Sequence, residues 1–232
     1  MKILCGMLVK NEEHRYLKEV LEFYKPIVDK FVIVDNMSTD KTVQLCEDTL
    51  KDKYDINTCD IPFETEETAL RKYLFDEIKF YVADGDWIIT PDADEVFESK
   101  FKHEVVNMMN VPDVYHYSFQ FLHMWGCRYK YRVDGYWSPE KGGYGCRMYK
   151  YVEGYNYKWT SQSTACGAMP MNVLEQKGIN SNIKIKHFGY ADPESIKRKY
   201  EYYANSEVGK NHASSHINSI IDENSTLVEY KE

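Results

Sequence analysis

No stretch of this 232-residue chain comes near the roughly 18 unbroken apolar residues that a membrane-spanning helix needs. That excludes a span, not peripheral contact with a membrane. There is no CxxC pair and no zinc-like spacing. The six cysteines (Cys5, Cys46, Cys59, Cys127, Cys146 and Cys166) are scattered, as expected of reduced thiols in a cytoplasmic protein, one that at most works at the inner face of a membrane. Positive charge is in deficit: 29 Lys and Arg against 37 Asp and Glu leave a net charge of −8. Such a balance opposes loose adhesion to nucleic acid, which draws on clustered cations. An anionic ligand would need a local counter-charge. Repeats and low-complexity tracts are also missing. The opening MKILCGMLVKNEEH meets charge at Lys10 and has no small-residue cleavage site, so it reads as a strand rather than a signal peptide.

With 43% hydrophobic residues, the chain can bury a substantial core in a single domain. Ile3 to Val9 is an apolar strand, and Asn11 is a plausible cap for a helix carrying Leu17, Val20, Leu21 and Tyr24. Phe31 to Val34 is a second apolar run, without polar alternation, as in a parallel strand covered on both faces. A helix from Thr42, a weaker strand over 54–61, a helix over 64–82 and a fourth strand from Trp87 follow. This β-α-β-α-β-α-β order predicts an α/β fold with a mostly parallel, Rossmann-like sheet and ligands at the carboxyl ends of its strands. After Glu95 the pattern changes. Alternation over 114–123, 128–133 and 142–151, and a short strand over 183–186, predict antiparallel additions. Asp192-Pro193 caps a helix running to about Ser206. The expected division is a ligand-binding half, 1–98, a second half of the same domain, 99–208, and a polar tail, 209–232.

The stretch WIITPDADEVF puts Asp92, Asp94 and Glu95 directly behind the fourth strand. Acidic residues are common in solvated turns, which is the ordinary explanation. Here the preceding strand is apolar enough to be buried, so its end is a rigid platform. Carboxylates two apart at that end repel, and a divalent cation removes the conflict. Hard cations such as Mg2+ or Mn2+ take oxygen ligands and keep positions open for substrate phosphates.

VKNEE (Val9 to Glu13), VIVDNMSTDKT (Val32 to Thr42), DWIITPDADE (Asp86 to Glu95) and KHFGY (Lys186 to Tyr190) occur in this order. Together they resemble family 2 glycosyltransferases of the GT-A fold, within them the group with a DADE-type DxD motif. The resemblance spans roughly residues 3 to 205. It implies a nucleotide-sugar donor, usually uridine-based, and an acceptor hydroxyl on a glycan, a lipid-linked glycan or another biomolecule. Asp35 matches the acidic residue that reads the base, for which an acceptor-only carboxylate suits an imide N–H. Asn11 and Glu12 match the first loop of the nucleotide pocket, and Arg71 matches a donor-binding helix arginine, although Lys72 stands where that group usually has Asn. Asp92 and Asp94 match the motif that serves the ribose and the metal on the diphosphate, with Asp94 as the direct ligand. His187 matches a further metal ligand, and an imidazole in the set favours Mn2+ over Mg2+. Of Lys197, Arg198 and Lys199, expected on a solvated face, one could reach the leaving diphosphate.

The resemblance further implies attack by an acceptor hydroxyl with inversion, assisted by a general base. That group usually carries a His-Glu pair after the arginine-containing strand, here CRMYK (Cys146 to Lys150), whereas this chain reads YKWTSQS. Glu140 is therefore the first candidate base, then Asp134, then Glu95. Half of the 20 tyrosines lie between Tyr115 and Tyr157, a segment that would serve both core and acceptor stacking. Two other classes fit parts of the pattern. A haloacid dehalogenase-type phosphatase would use Asp92 as nucleophile and Asp94 as acid, although that motif opens its fold. A non-catalytic carbohydrate-binding module would explain the tyrosines but not the acidic strand end. A transfer to DNA bases draws only on the local cations Arg128, Lys130 and Arg132.

Overall fold

The first apolar run alternates between two cores. Ile3, Cys5, Met7 and Val9 join one cluster, and Leu4 joins another on the opposite face. Phe31 and Ile33 against Val32 and Val34 repeat this in the second run. Helices cover both sides, so neither strand keeps a polar face. The computed structural model describes residues 1–163, 166–206, 209 and 213–232.

In chain order the first part contains β1 (Ile3–Val9), α1 (Leu17–Tyr24), β2 (Lys30–Asp35), α2 (Thr42–Leu50), β3 (Tyr54–Thr58), α3 (Phe63–Ile78) and β4 (Trp87–Ile89). The second part contains β5 (Glu95–Phe97), α4 (Phe101–Met109), β6 (His116–Trp125), β7 (Lys130–Arg132), α5 (Pro139–Gly142), β8 (Gly145–Lys150), β9 (Gly178–Tyr190), α6 (Pro193–Asn205), α7 (Ser214–Ser219) and β10 (Leu227–Glu229). Helices α1 and α2 cover one face through Leu17, Val20, Leu21, Cys46 and Leu50, while α3 covers the other through Leu70, Leu74, Phe75 and Ile78. Gly6 allows that close approach: a β-carbon there would lie 2.4 Å from Ile78 Cδ1.

Strands β3-β2-β1-β4 are neighbours in that order and parallel. The chain steps outward from β1 to β3, then crosses back to lay β4 on the other side of β1. The loops after β1 and β4 therefore diverge and open a crevice at the carboxyl ends of the strands. Beyond β4 the sheet turns antiparallel through β8, β6, β7 and β10. This is the α/β arrangement, a parallel sheet extended by antiparallel strands, that the sequence predicts. β5, directly behind the acidic motif, pairs antiparallel with β9, with Glu95 opposite His187. That register joins residues some ninety positions apart.

Four details differ from the sequence reading. Asn11 does not cap a helix: its φ is +54°, and α1 begins only at Leu17. The strand expected over 183–186 runs from Gly178 to Tyr190, because β6 pairs with it in parallel from Gly178 onward and stabilises its polar start. Helix α4 went unread. Residues 209–232, read as a tail, contribute β10 to the sheet, and Ile220 is buried with Trp125, Trp137 and Tyr190. Asp192 caps α6 as expected, accepting from the Ser195 N–H at 2.8 Å. Among the described residues no helix is long and apolar enough to cross a membrane. All six cysteines are unpaired.

Candidate active site

The crevice between the β1 and β4 loops is a cleft of about 250 Å³, with Glu12, Arg71, Asp92, Asp94 and His187 in its lining. The two aspartates of the DxD motif face different partners. Asp92 Oδ1 accepts from Arg71 Nη2 at 3.1 Å, and its Oδ2 lies 3.6 Å from Arg147 Nη2. Burial would raise its pKa, but these two guanidinium groups outweigh it and hold the carboxyl below its usual range. Arg71 is itself steadied by Glu67 at 3.0 Å, and Arg147 grips Glu95 with two bonds of 2.7 and 2.9 Å. Glu95 also accepts from the Asp92 N–H at 3.0 Å. The motif is thus braced from behind by buried ion pairs.

Asp94 is oriented the other way. Its Oδ2 lies 3.6 Å from His187 Nε2 and 3.8 Å from Arg15 Nη2. Although burial opposes it, the charges of His187, Lys199 and Arg15 hold this carboxyl far below the ordinary range. A β-carbon at Gly189 would lie 2.7 Å from His187 Nε2 and 3.0 Å from Lys199 Cε, so this glycine leaves the room both side chains occupy. If His187 holds a metal, as the resemblance implies, Gly189→Ala displaces the imidazole and weakens Mn2+ uptake about tenfold or more, measured by metal titration. An unchanged titration would show that His187 binds no ion.

Glu12 is a third carboxylate here. Burial first, then the nearby Asp94 charge, push its pKa up to about 7 against the pull of Arg15. Arg15 pairs with Glu12 Oε1, while Oε2 has no hydrogen-bond partner. At the end of β2, Asp35 accepts from the Ser38 N–H with one oxygen, and its buried Oδ1 is unpartnered. Its neighbour Asn36, which lines the cleft, donates to the carbonyls of Cys59 and Ile61 and also keeps an unpartnered Oδ1. Such orphan acceptors suit ligand N–H or O–H donors. Asn11 is exposed and outside the lining. Its Oδ1 accepts from the Thr39 N–H at 2.8 Å, tying the β1 loop to the β2 loop.

A second cavity of about 320 Å³ adjoins the first and shares Asp92, His187 and Lys199 with it. Its other walls include Glu95, Phe121, His123, Arg147 and Tyr203. Of the three candidate bases, only Glu95 lines it, and both of its oxygens are engaged by Arg147. Glu140 is exposed on α5 and outside the lining, although Ser138, Pro139 and Gly142 beside it contribute. Asp134 is drawn away by Arg132 at 2.7 Å and by the Thr226 N–H. The structure brings neither to the cleft.

Of the basic residues on α6, Lys199 lines both cavities, whereas Lys197 is exposed near Glu201 and Arg198 donates to Ser195 at 3.0 Å. Asp94 raises the Lys199 pKa against the opposing effect of burial. Arg15, Asn36 and His123 escaped the sequence reading. Arg15 sits four residues before Glu19 in an unremarkable charged loop, and His123 lies in a strand of aromatics, so neither had a local signal. The cations Arg128 and Arg132 do not form a face: Arg128 pairs with Glu19, and Arg132 is buried over Trp125.

Among the described residues no three His, Cys, Asp or Glu side chains converge as a complete metal-binding set. Asp94 Oδ2 and His187 Nε2, 3.6 Å apart, nevertheless fit an ion that takes its remaining ligands from a substrate. Two atoms bound to one ion at about 2.1 Å each lie at most about 4.2 Å apart, and Mg2+-type sites often use only one or two protein ligands plus phosphates.

The sequence model described as Glycosyl transferase family 2 matches residues 6–191. Among solved structures, S. aureus TarS 1-349 superposes with a TM-score of 0.53 at 13% identity, covering 95% of this chain and 69% of that one. The longer S. aureus TarS gives 0.52 at 13% identity, and this chain spans 42% of its length. Glucosyl-3-phosphoglycerate synthase from Mycobacterium tuberculosis gives 0.38 at 14% identity, over 54% of this chain and 45% of that one. No curated protein is matched in sequence.

Proposed function

The chain belongs to glycosyl transferase family 2, and from that premise we propose a metal-dependent, inverting transferase of the DADE-type group that moves a sugar from a UDP-sugar to an acceptor hydroxyl. The observation that carries this reading is the Asp94–His187 pair at the switch point of the sheet, facing a cleft with cationic walls. The uridine assignment draws on the orphan Asp35 oxygen at the end of β2 and on TarS, of like fold, having been crystallised with UDP (TM-score 0.51, 12% identity).

In this reading Asp94 and His187 hold Mn2+ or Mg2+, which when bound neutralises charge on the departing diphosphate. Arg15 and Lys199 add fixed positive charge where that group leaves. The acceptor enters the second cavity, which meets the first at Asp92, His187 and Lys199. Single displacement with inversion is favoured because Asp92 and Glu95, the carboxylates lining the second cavity, are both engaged by guanidinium groups and are poor nucleophiles. The same engagement of Asp92 argues against a phosphatase that attacks through it.

The test is a panel of nucleotide-sugars assayed for Mn2+-dependent hydrolysis, with calorimetric binding of UDP as second readout. Asp35→Asn is expected to weaken UDP binding about 10–100-fold, the cost of losing one charge-assisted hydrogen bond. Equal binding of UDP and ADP by the wild type would sink the uridine assignment. Sugar binding without any nucleotide-dependent turnover would instead favour a non-catalytic module.

A further inference from the structure

We propose that His123 is the positioning residue that makes His187 a metal ligand, by accepting a hydrogen bond from His187 Nδ1–H and so keeping the proton off the ligating Nε2; this rests on the metal reading of Asp94 and His187. The two histidines are register partners on the parallel strands β6 and β9. Their Nδ1 atoms lie 3.0 Å apart with the rings nearly perpendicular, at 84°. At that separation one hydrogen sits between two nitrogens, so one ring donates and the other accepts.

Which ring donates is decided at the other end of His187. Its Nε2 faces Asp94 Oδ2, and a metal bound there needs a lone pair on Nε2. The proton of neutral His187 must then be on Nδ1, and His123 Nδ1 is the acceptor within reach. A metal-bound imidazole is commonly oriented by a partner of this kind, usually a carboxylate or a backbone carbonyl. Here a second imidazole takes that place. His123 is well suited to hold still. Its ring meets Trp137 at 5.3 Å and Tyr190 at 6.0 Å between centroids, both edge-on, and Phe121 stacks at 6.4 Å. Those rings fix its orientation without competing for the hydrogen bond. A protonated His123 would set N–H against N–H, so His123 acts as a neutral acceptor.

Asparagine and leucine separate this role from packing. Both approximate the front half of the imidazole in size, but only asparagine places an acceptor oxygen where His123 Nδ1 stands. Free Mn2+ would be titrated into the wild type, His123→Leu and His123→Asn, with and without UDP, and followed by electron paramagnetic resonance. Circular dichroism and thermal unfolding would check the fold of each. The expected result is a loss of about 10–100-fold in Mn2+ affinity for His123→Leu and a value within about threefold of the wild type for His123→Asn. Equal affinities in the two variants, whether both weak or both intact, would overturn the role of His123 while leaving the Asp94–His187 site standing. Failure of the wild type itself to take up Mn2+ would overturn both.

Discussion

Asp94→Asn is expected to lower kcat/KM for sugar transfer by about 1,000-fold or more, because the charge it supplies cannot be replaced from elsewhere in the cleft. Asp92 is held between Arg71 and Arg147, so it cannot turn toward the cleft without leaving two guanidinium groups short of a counter-ion. Glu95 is bound to Arg147, and Glu12 is the buried carboxylate whose pKa is pushed up to about 7. A metal that stabilises a leaving diphosphate supplies several kcal/mol of transition-state stabilisation, and about 4 kcal/mol corresponds to a thousandfold in rate. The variant keeps the backbone bond from the Phe188 N–H to the Asp94 carbonyl, 2.8 Å long, so the strand pairing survives. Some stability is lost as well. A carboxyl whose folded pKa is depressed contributes stability that is present at neutral pH and fades as pH falls through that value, so the wild-type advantage over Asp94→Asn shrinks in acid. Steady-state kinetics at several Mn2+ concentrations, beside unfolding curves at pH 7 and at about pH 2, below the unfolded carboxyl range, separate the two effects. A variant that keeps a tenth or more of its activity would refute the metal bridge.

Arg147→Met is the change expected to cost most in stability, about 3–5 kcal/mol. Arg147 makes two short bonds to Glu95, a residue only 2% exposed, and neutralises Asp92 from the far side. Removing the guanidinium leaves Glu95 charged, buried and without a cation. Replacing both members of a buried pair by apolar residues is far less costly than breaking it, so Arg147→Met with Glu95→Leu should recover most of the loss. Urea denaturation of the two single variants and the double variant gives the coupling energy directly. A loss under 1 kcal/mol in Arg147→Met would mean that the pair braces nothing. Donor affinity should fail to recover in the double variant, because Asp92 then keeps only Arg71.

The acidic corner was legible because strand ends are legible: Asp92 and Asp94 follow an apolar run, and a buried strand delivers its last residues to a fixed place. The roles of Asp35 and of His187, which lies three residues inside the end of β9, came from resemblance. Glu12 and Arg71 were carried by resemblance, and the structure sets them in the same cleft. Asn11 was placed in the right loop but in the wrong role, since its amide ties two loops together instead of facing the cleft. The base candidates Glu140 and Asp134 went furthest astray. Both sit in the connection from β7 to β8, where a charged residue in the sequence does not indicate which way it points. Arg132, two residues from Asp134, decided that side chain's direction by drawing it into an ion pair.

From local chemistry alone the chain specifies its parallel β-α units and the acidic strand end, because apolar periodicity and strand termination are properties of neighbouring residues; the imidazole of KHFGY came from resemblance. The partners those groups acquire depend on register between distant strands. Pairing of β5 with β9 sets His187 beside Asp94, pairing of β6 with β9 sets His123 behind it, and pairing of β4 with β8 brings Arg147 to the acidic corner. Cross-sheet hydrogen bonding has no signature at short range, so only the folded sheet could decide which carboxylate is braced by arginine and which faces the cleft.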